Sequence, residues 1–366
     1  MAPSPDLLAL WQTGVDAVRG DVAVQNAIVR GLVAPPDRII AVGKAATAMG
    51  QAAAEKWPHV PCLIVTKYHH SAGAPKHATV MEAAHPVPDE ASVAAGRALM
   101  GAVSDCAPGS HLLMLVSGGA SSLAEVPVDG MTLDALKAET QDLLASGTPI
   151  GEMNAHRTQR SSIKGGKLLA RFAGQKVTTL ALSDVEGDSL ASIGSGIGDA
   201  AANGRFEFVP HIIASNAIAR TAVAEASTSP VMSNQETLYD DVAALAPRIA
   251  AMLRDAPSGL HVLGGEPVVH LPQNPGQGGR NMALGLALAR EISGTEGLRI
   301  LVAGTDGTDG PTDAAGAMVD GTTWVESGVE ALARADAYPW LKDRGALVVT
   351  GPTGTNVMDL LIAHKA

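Results

Sequence analysis

Short apolar runs that break off in glycine or polar turns alternate along this chain with longer stretches of helical periodicity. The runs RIIAVGK (38–44), CLIVTKY (62–68), ATVMEAA (78–84), HLLMLVSGG (111–119), VTTLALSDVEG (177–187) and HIIASN (211–216) predict strands. RILVAGTDG (299–307) and ALVVTGPTG (346–354) predict two more. Most are apolar at successive positions, as strands covered on both faces are. Between them, helices are predicted over AATAMGQAAAEKW, DEASVAAGRALMGAVS, TLDALKAETQDLLASG and HRTQRSSIKGGKLLARFAG. Near the start, Val18, Val22, Val29 and Val33 follow at spacings of four, seven and four, which predicts one buried helical stripe. HVLGGEPVVHLP (261–272) breaks the alternation and predicts an antiparallel hairpin. The order of elements implies an α/β protein with mainly parallel sheets. The polar stretch EASTSPVMSNQET (225–237) marks a boundary, giving domains over 1–234 and 235–366.

The bulk numbers narrow the function. A chain of 366 residues with 46% apolar residues can fill two cores. Only 17% of residues are charged and the net charge is −11, which argues against nucleic acid and anionic membranes as partners. An anionic small molecule would therefore need a local positive pocket. Two cysteines, Cys62 and Cys106, form no zinc or redox spacing and fit a reducing compartment. MAPSPDLLALWQTG lacks the basic and apolar segments of a signal peptide, and no run is long enough to span a bilayer. A cytoplasmic location is expected.

In open α/β sheets ligands bind beyond the carboxyl ends of the strands, and here nearly every predicted strand exits into a polar glycine turn. AVGKAATAMG puts Lys44 at the start of a helix, where free N–H groups favour an anion. VSGGASSL offers Ser117, Gly118, Gly119, Ser121 and Ser122, a cradle of amides and hydroxyls without the order of a nucleophile elbow. Arg157, Arg160, Lys164 and Lys167 follow at three or four residues, so a continuous helix would carry them on one face. In a chain so poor in positive charge, that stripe points to an anion. Gly165 and Gly166 inside the same pattern point to a break or a close backbone approach. LSDVEGDS ends a strand with Asp184, Glu186 and Asp188. NPGQGGRNMALG feeds a helix through Gly278, Gly279, Arg280 and Asn281. GPTGTNVMDL carries Gly351, Thr353, Gly354, Thr355, Asn356 and Asp359.

GTDGTDGPTDAAG (304–316) places Thr305, Asp306, Gly307, Asp309 and Asp313 behind an apolar strand. A calcium loop of the EF-hand type needs ligands at every second position and a closing Glu, which this stretch lacks. A loop meeting metal or phosphate is the expectation. A P-loop is absent, and GSGIG (194–198) has no preceding strand to make it a dinucleotide fingerprint. His69, His70, His77 and His85 show no ligand spacing.

VGKAATAM, AAHPVPDE, LVSGGASSL, IKGGKLLA, LSDVEGD, GGE, GQGGRNMALGLALA, AGTDGTDGPTDAAGA and GPTGTNVMDL together resemble the class II glycerate kinases, whose C-terminal half is called MOFRL. They run in the family's order across residues 38–362. The resemblance implies a Rossmann-like N-terminal domain and a smaller α/β MOFRL-type domain flanking a cleft. It also implies transfer of a phosphoryl group from ATP, with Mg²⁺, to the 2-hydroxyl of D-glycerate, by a monomer or homodimer. On that reading Lys44 stabilises the transferred group, and Arg280 does the same or binds nucleotide phosphates. Asp184 orients the substrate hydroxyl or holds Mg²⁺. Ser117, Gly118, Gly119, Ser121, Arg157 and Lys164 bind substrate. Gly278, Gly279, Asn281, Thr305, Asp306, Gly307, Gly351, Thr353, Gly354 and Asn356 bind the nucleotide, with Asp306 a second metal ligand. Ala120, Glu186, Ser189, Met282 and Met358 depart from the family's usual residues. Some members carry the name hydroxypyruvate reductase, so an NAD(P)H-dependent reductase is the first rival. A non-catalytic anion-binding protein on the same fold is the second.

Overall fold

The computed structural model describes residues 5–145, 150–200 and 205–366. They form two compact units, neither continuous in sequence. One comprises Val18–Ser215 with Gly354–Asn356, the other Met1–Ala17, Asn216–Thr353 and Val357–Ala366.

In the first unit, β1 (Arg38–Val42), β2 (Cys62–Lys67), β3 (Thr79–Ala83), β4 (His111–Val116), β5 (Lys176–Leu182) and β6 (Glu207–Ala214) form a parallel sheet. The strand order is β3-β2-β1-β4-β5-β6. All six residues of β4 are buried, which is why its sequence is continuously apolar. Leu99 and Val103 of the helix Glu90–Ser104 close the core over Ile40, Leu112 and Met114. Asp89 starts that helix with a capping box, exchanging hydrogen bonds with Ser92.

In the second unit, β7 (Val231–Glu236), β8 (Gly259–Gly265), β9 (Leu298–Gly304), β10 (Gly316–Asp320), β11 (Leu347–Val348) and β12 (Asp359–Lys365) are ordered β11-β10-β9-β12-β8-β7. Only β7 and β8 run parallel; the other pairs are antiparallel. Helices Val242–Asp255 and Arg280–Glu291 pack Ile249, Leu253, Leu284 and Leu288 against Ile300, Val302 and Leu361.

Several sequence expectations are corrected. The hairpin over 261–272 does not form, because β8 ends at Gly265 and Pro267 has no N–H to continue a ladder. The partners of β8 come instead from β7 and β12. β7 lies inside the stretch read as a boundary; it is a polar edge strand without an apolar signal. The stretch 346–354 yields only the two residues of β11. The valine stripe fails at Val29, which is 86% exposed, and Ala23, Val24 and Ala27 make the buried face. The basic helix stops at Arg160. Beyond it Gly165 and Gly166 turn left-handed, and their N–H groups donate to the carbonyls of Ser195 and Gly196 at 2.9 and 3.0 Å. Arg157 and Arg160 therefore do not share a helix face with Lys164 and Lys167.

Candidate active site

The parallel sheet reverses its winding direction between β1 and β4, the place where such sheets bind ligands. The loops leaving those two strands are tied together by main chain. The Lys44 N–H donates to the Gly118 carbonyl at 2.9 Å, and the Ala45 N–H donates to Ser117 Oγ at 3.0 Å. Gly43 makes the approach possible: a Cβ there would lie 2.2 Å from Ser117 Oγ. Ser117 is wholly buried, so its hydroxyl serves this tie. Lys44 is half-buried and lies along Gly119, whose missing Cβ would sit 3.1 Å from Lys44 Cγ and 3.1 Å from His85 Cδ2.

Asp184 leaves β5 directly against this loop. A Cβ on Gly118 would stand 1.9 Å from Asp184 Oδ2, so only glycine admits the carboxylate here. Asn356 Nδ2 donates to the same oxygen at 3.4 Å. Gly354 and Thr355 anchor that segment, accepting from the Gly20 N–H at 3.1 Å and donating to the Val18 carbonyl at 2.6 Å respectively. Lys44, Gly118, Gly119, Asp184 and Asn356 thus come together, with His85, which sequence reasoning set aside. The signal for His85 was its place in AAHPVPDE; no spacing rule would have found it.

Ser121 donates to or accepts from Ser195 Oγ at 2.9 Å and borders a small polar cavity with Glu125, Thr140, Arg157 and Lys164. Lys164 is buried and donates to Glu125, itself 1% exposed. Burial lowers the pKa of Lys164, and the Glu125 charge opposes that shift. Arg160 instead pairs at the surface with Glu139 at 3.0 Å, and Lys167 Nζ donates to the carbonyls of Thr158 and Ser161 at 2.7 Å each.

In the second unit Arg280 opens the helix Arg280–Glu291 and is held by two carboxylates. Its Nε donates to Asp359 Oδ2 at 2.6 Å, another guanidinium nitrogen to Asp359 Oδ1 at 3.3 Å, and NH1 meets Glu266 at 2.7 Å. These neighbours raise the pKa of Arg280 against the effect of burial. Asp359 is 1% exposed, so this ion pair is buried on its carboxylate side.

The three loop aspartates part company. Asp309 is buried and caps the same helix, accepting from the Asn281 and Met282 N–H groups at 3.1 and 2.7 Å. Burial, with Asp359 nearby, pushes its carboxyl up to about 7 against those hydrogen bonds. Asp306 closes a turn on Thr308, accepting from its N–H at 2.9 Å. Asp313 is exposed and accepts from the Tyr338 hydroxyl at 2.7 Å. Among the described residues no three His, Cys, Asp or Glu side chains converge on a common metal position.

The glycines of this unit make room chiefly for protein. A Cβ on Gly279 would lie 2.3 Å from the Asp309 carboxyl and one on Gly307 2.0 Å from the Gly351 carbonyl, whereas one on Gly278 would meet only ordinary contacts. Thr353 Oγ donates to the Thr305 carbonyl at 2.6 Å, joining the loops that carry Thr305–Gly307 and Gly351–Thr353. Asn281 is 1% exposed, and its Oδ1 is a buried acceptor with no protein donor among the described residues.

A profile described as a domain of unknown function (DUF4147) matches residues 6–228, and that of the MOFRL family matches residues 259–359. D-glycerate 2-kinase of Thermotoga maritima is 36% identical over 97% of this chain and 96% of its own length. The chain belongs to the class II glycerate kinase family. Glycerate 2-kinase of Pyrococcus horikoshii is 34% identical over 89% of this chain and 86% of its own. The crystal structure of glycerate kinase from Thermotoga maritima superposes with a TM-score of 0.87 at 32% identity, covering 98% of both chains. The family expected from the motifs is thus met by profile, relative and fold. No described helix is long and apolar enough to cross a membrane.

Proposed function

We propose that this chain transfers the γ-phosphoryl group of ATP to the 2-hydroxyl of D-glycerate, forming 2-phosphoglycerate and ADP. The observation that carries the reading is the tie between the β1 and β4 loops at the switch point of the parallel sheet, where Lys44 lies along Gly119 and the Asp184 carboxylate against Gly118. Phosphoryl transfer asks a protein mainly for positioning and for positive charge around the migrating group. Lys44 supplies that charge. Asp184, steadied by Asn356, takes the proton as the hydroxyl oxygen attacks phosphorus and the bond to the ADP oxygen breaks. The main chain at Gly118 and Gly119, with Ser121 and Arg157, receives the substrate carboxylate; Lys164 acts through Glu125.

In the second unit Arg280 meets nucleotide phosphate, supported by the loops at Gly278–Asn281, Thr305–Gly307 and Gly351–Thr353. Magnesium usually keeps several waters and takes one or two carboxylates plus phosphates. The carboxylates of Asp184 and Asp306 suit an ion carried in by the nucleotide, not an all-protein cage. The ion would neutralise charge on the phosphates. A cytoplasmic place accords with such a substrate.

Relatives from Agrobacterium vitis carry a provisional hydroxypyruvate reductase name. Against that chemistry here, the segment 194–198 is no strand-to-helix fingerprint turn: Gly194 packs on Ala120, and Gly196 on the Ala191 carbonyl. The test incubates the protein with D-glycerate, ATP and Mg²⁺ and identifies the phosphorylated position by phosphorus NMR. A parallel reaction supplies hydroxypyruvate with NADH or NADPH. The 2-phosphate should form in the first and nothing in the second; oxidation of NAD(P)H without phosphorylation would overturn the reading.

A further inference from the structure

The segment Val357–Asp359 is gripped from two sides. Asn216, wholly buried at the start of the helix Asn216–Ala226, donates Nδ2 to the carbonyls of Val357 and Asp359 at 3.0 Å each. Its Oδ1 accepts from Arg220 Nε at 2.8 Å. Gly264 leaves the space for it, since a Cβ there would lie 1.7 Å from that oxygen. From the other side the buried Thr305 hydroxyl donates to the Met358 carbonyl at 2.6 Å and accepts from the Val357 N–H at 2.9 Å. Between the two grips Met358 has φ +67, left-handed backbone that an unbranched L side chain seldom adopts.

We propose that Asp359 is a positioning residue for Arg280, aimed by the strained turn that Asn216 and Thr305 hold in place. The proposal rests on the reading of Arg280 as the group that meets nucleotide phosphate. Asp359 takes Nε and one terminal nitrogen, a side-on grip that fixes the guanidinium plane. The remaining terminal nitrogen pairs with the exposed Glu266 at 2.7 Å, a carboxylate whose place an arriving phosphate would take. A buried ion pair adds little to stability over an apolar pair of the same shape. Strain of this kind persists only where surrounding contacts over-determine it, and here those contacts serve to place one carboxylate.

The test is a double-mutant cycle on kcat/KM for ATP, with circular dichroism and melting curves for every variant. Asp359→Asn in the wild-type background should cost about 100-fold, the scale of a misplaced catalytic group. In an Arg280→Gln background the same change should cost almost nothing, because there is no guanidinium left to aim. Asp359→Glu, which keeps the charge but displaces it, completes a second cycle should Asp359→Asn fold poorly. Equal losses in both backgrounds would show a merely structural residue and overturn the proposal. Wild-type turnover in Arg280→Gln would instead overturn the reading of Arg280, and the proposal with it, while leaving glycerate phosphorylation by the chain intact.

Discussion

Lys44, just ahead of the helix Ala46–Lys56, and Arg280, first residue of the helix Arg280–Glu291, are both cations near a helix start, yet they are placed by different means. Around Lys44 the main chain does the placing: its own N–H reaches Gly118, and its neighbour's N–H reaches Ser117. Around Arg280 side chains do it, through Asp359, 79 residues away, and Glu266. The first arrangement is written in local glycine patterns on two strands that must pair. The second exists only because β12 returns antiparallel between β8 and β9 and carries Asp359 to the strand end. A basic residue can thus be poised by backbone in one unit and by ion pairs in another, and the two should fail differently when altered.

The largest effect is expected at Lys44. Lys44→Met should lower kcat by about 10³ or more, as loss of a charge aimed at a transition state does. Its melting temperature should stay near wild type, because the ties at this position are made by backbone. A large fall in melting temperature would mean that side chain and backbone are not separable here, which breaks the comparison.

Next comes the buried pair behind the β4 loop. Glu125→Gln removes the charge partner of the buried Lys164 and should cost about 3–5 kcal/mol of stability. A Glu125→Leu, Lys164→Met double variant should recover most of it, measured by urea unfolding. If the double variant is as unstable as the single, the pair is more than a charge balance.

Asp309 should give a smaller, pH-dependent effect. Burial raises its carboxyl from 3.8 to about 7, so its favourable contribution is fully present below the unfolded value and lost as pH rises through the folded one. Lowering the pH from roughly 8 to 6 should therefore raise the melting temperature of wild type relative to Asp309→Asn. Parallel curves for the two proteins would count against a raised carboxyl. In the same loop Asp313→Asn should change neither melting temperature nor activity, since that side chain is exposed and Asn can still accept from Tyr338. A measurable loss there would return the loop to a single functional unit.

The motifs fall on the loops at which several of the expected residues meet within each unit, and they do so where chemistry is local. Lys44, Ser117–Gly119 and Asp184 each sit at the end of an apolar run, and strand ends are readable from hydrophobic pattern. Asp359 was visible as one acid in GPTGTNVMDL, but nothing in that stretch says that it meets Arg280. The basic stripe misled for a related reason: helical spacing holds only while the helix lasts, and this one ends at Arg160. Lys164 then turns inward to a carboxylate 39 residues earlier.

What the sequence by itself determined is the family and the parallel α/β character of the first sheet. These follow from runs of apolar residues and glycine turns, which act over a few residues at a time. Tertiary structure alone decided the mixed order of the second sheet and the split of the final loop between two units. It also assigned Asp306, Asp309 and Asp313 to a turn, a buried helix cap and the surface. The reason is physical. A carboxylate's role depends on which donors and charges surround it once water is removed, and those come from segments distant in the chain.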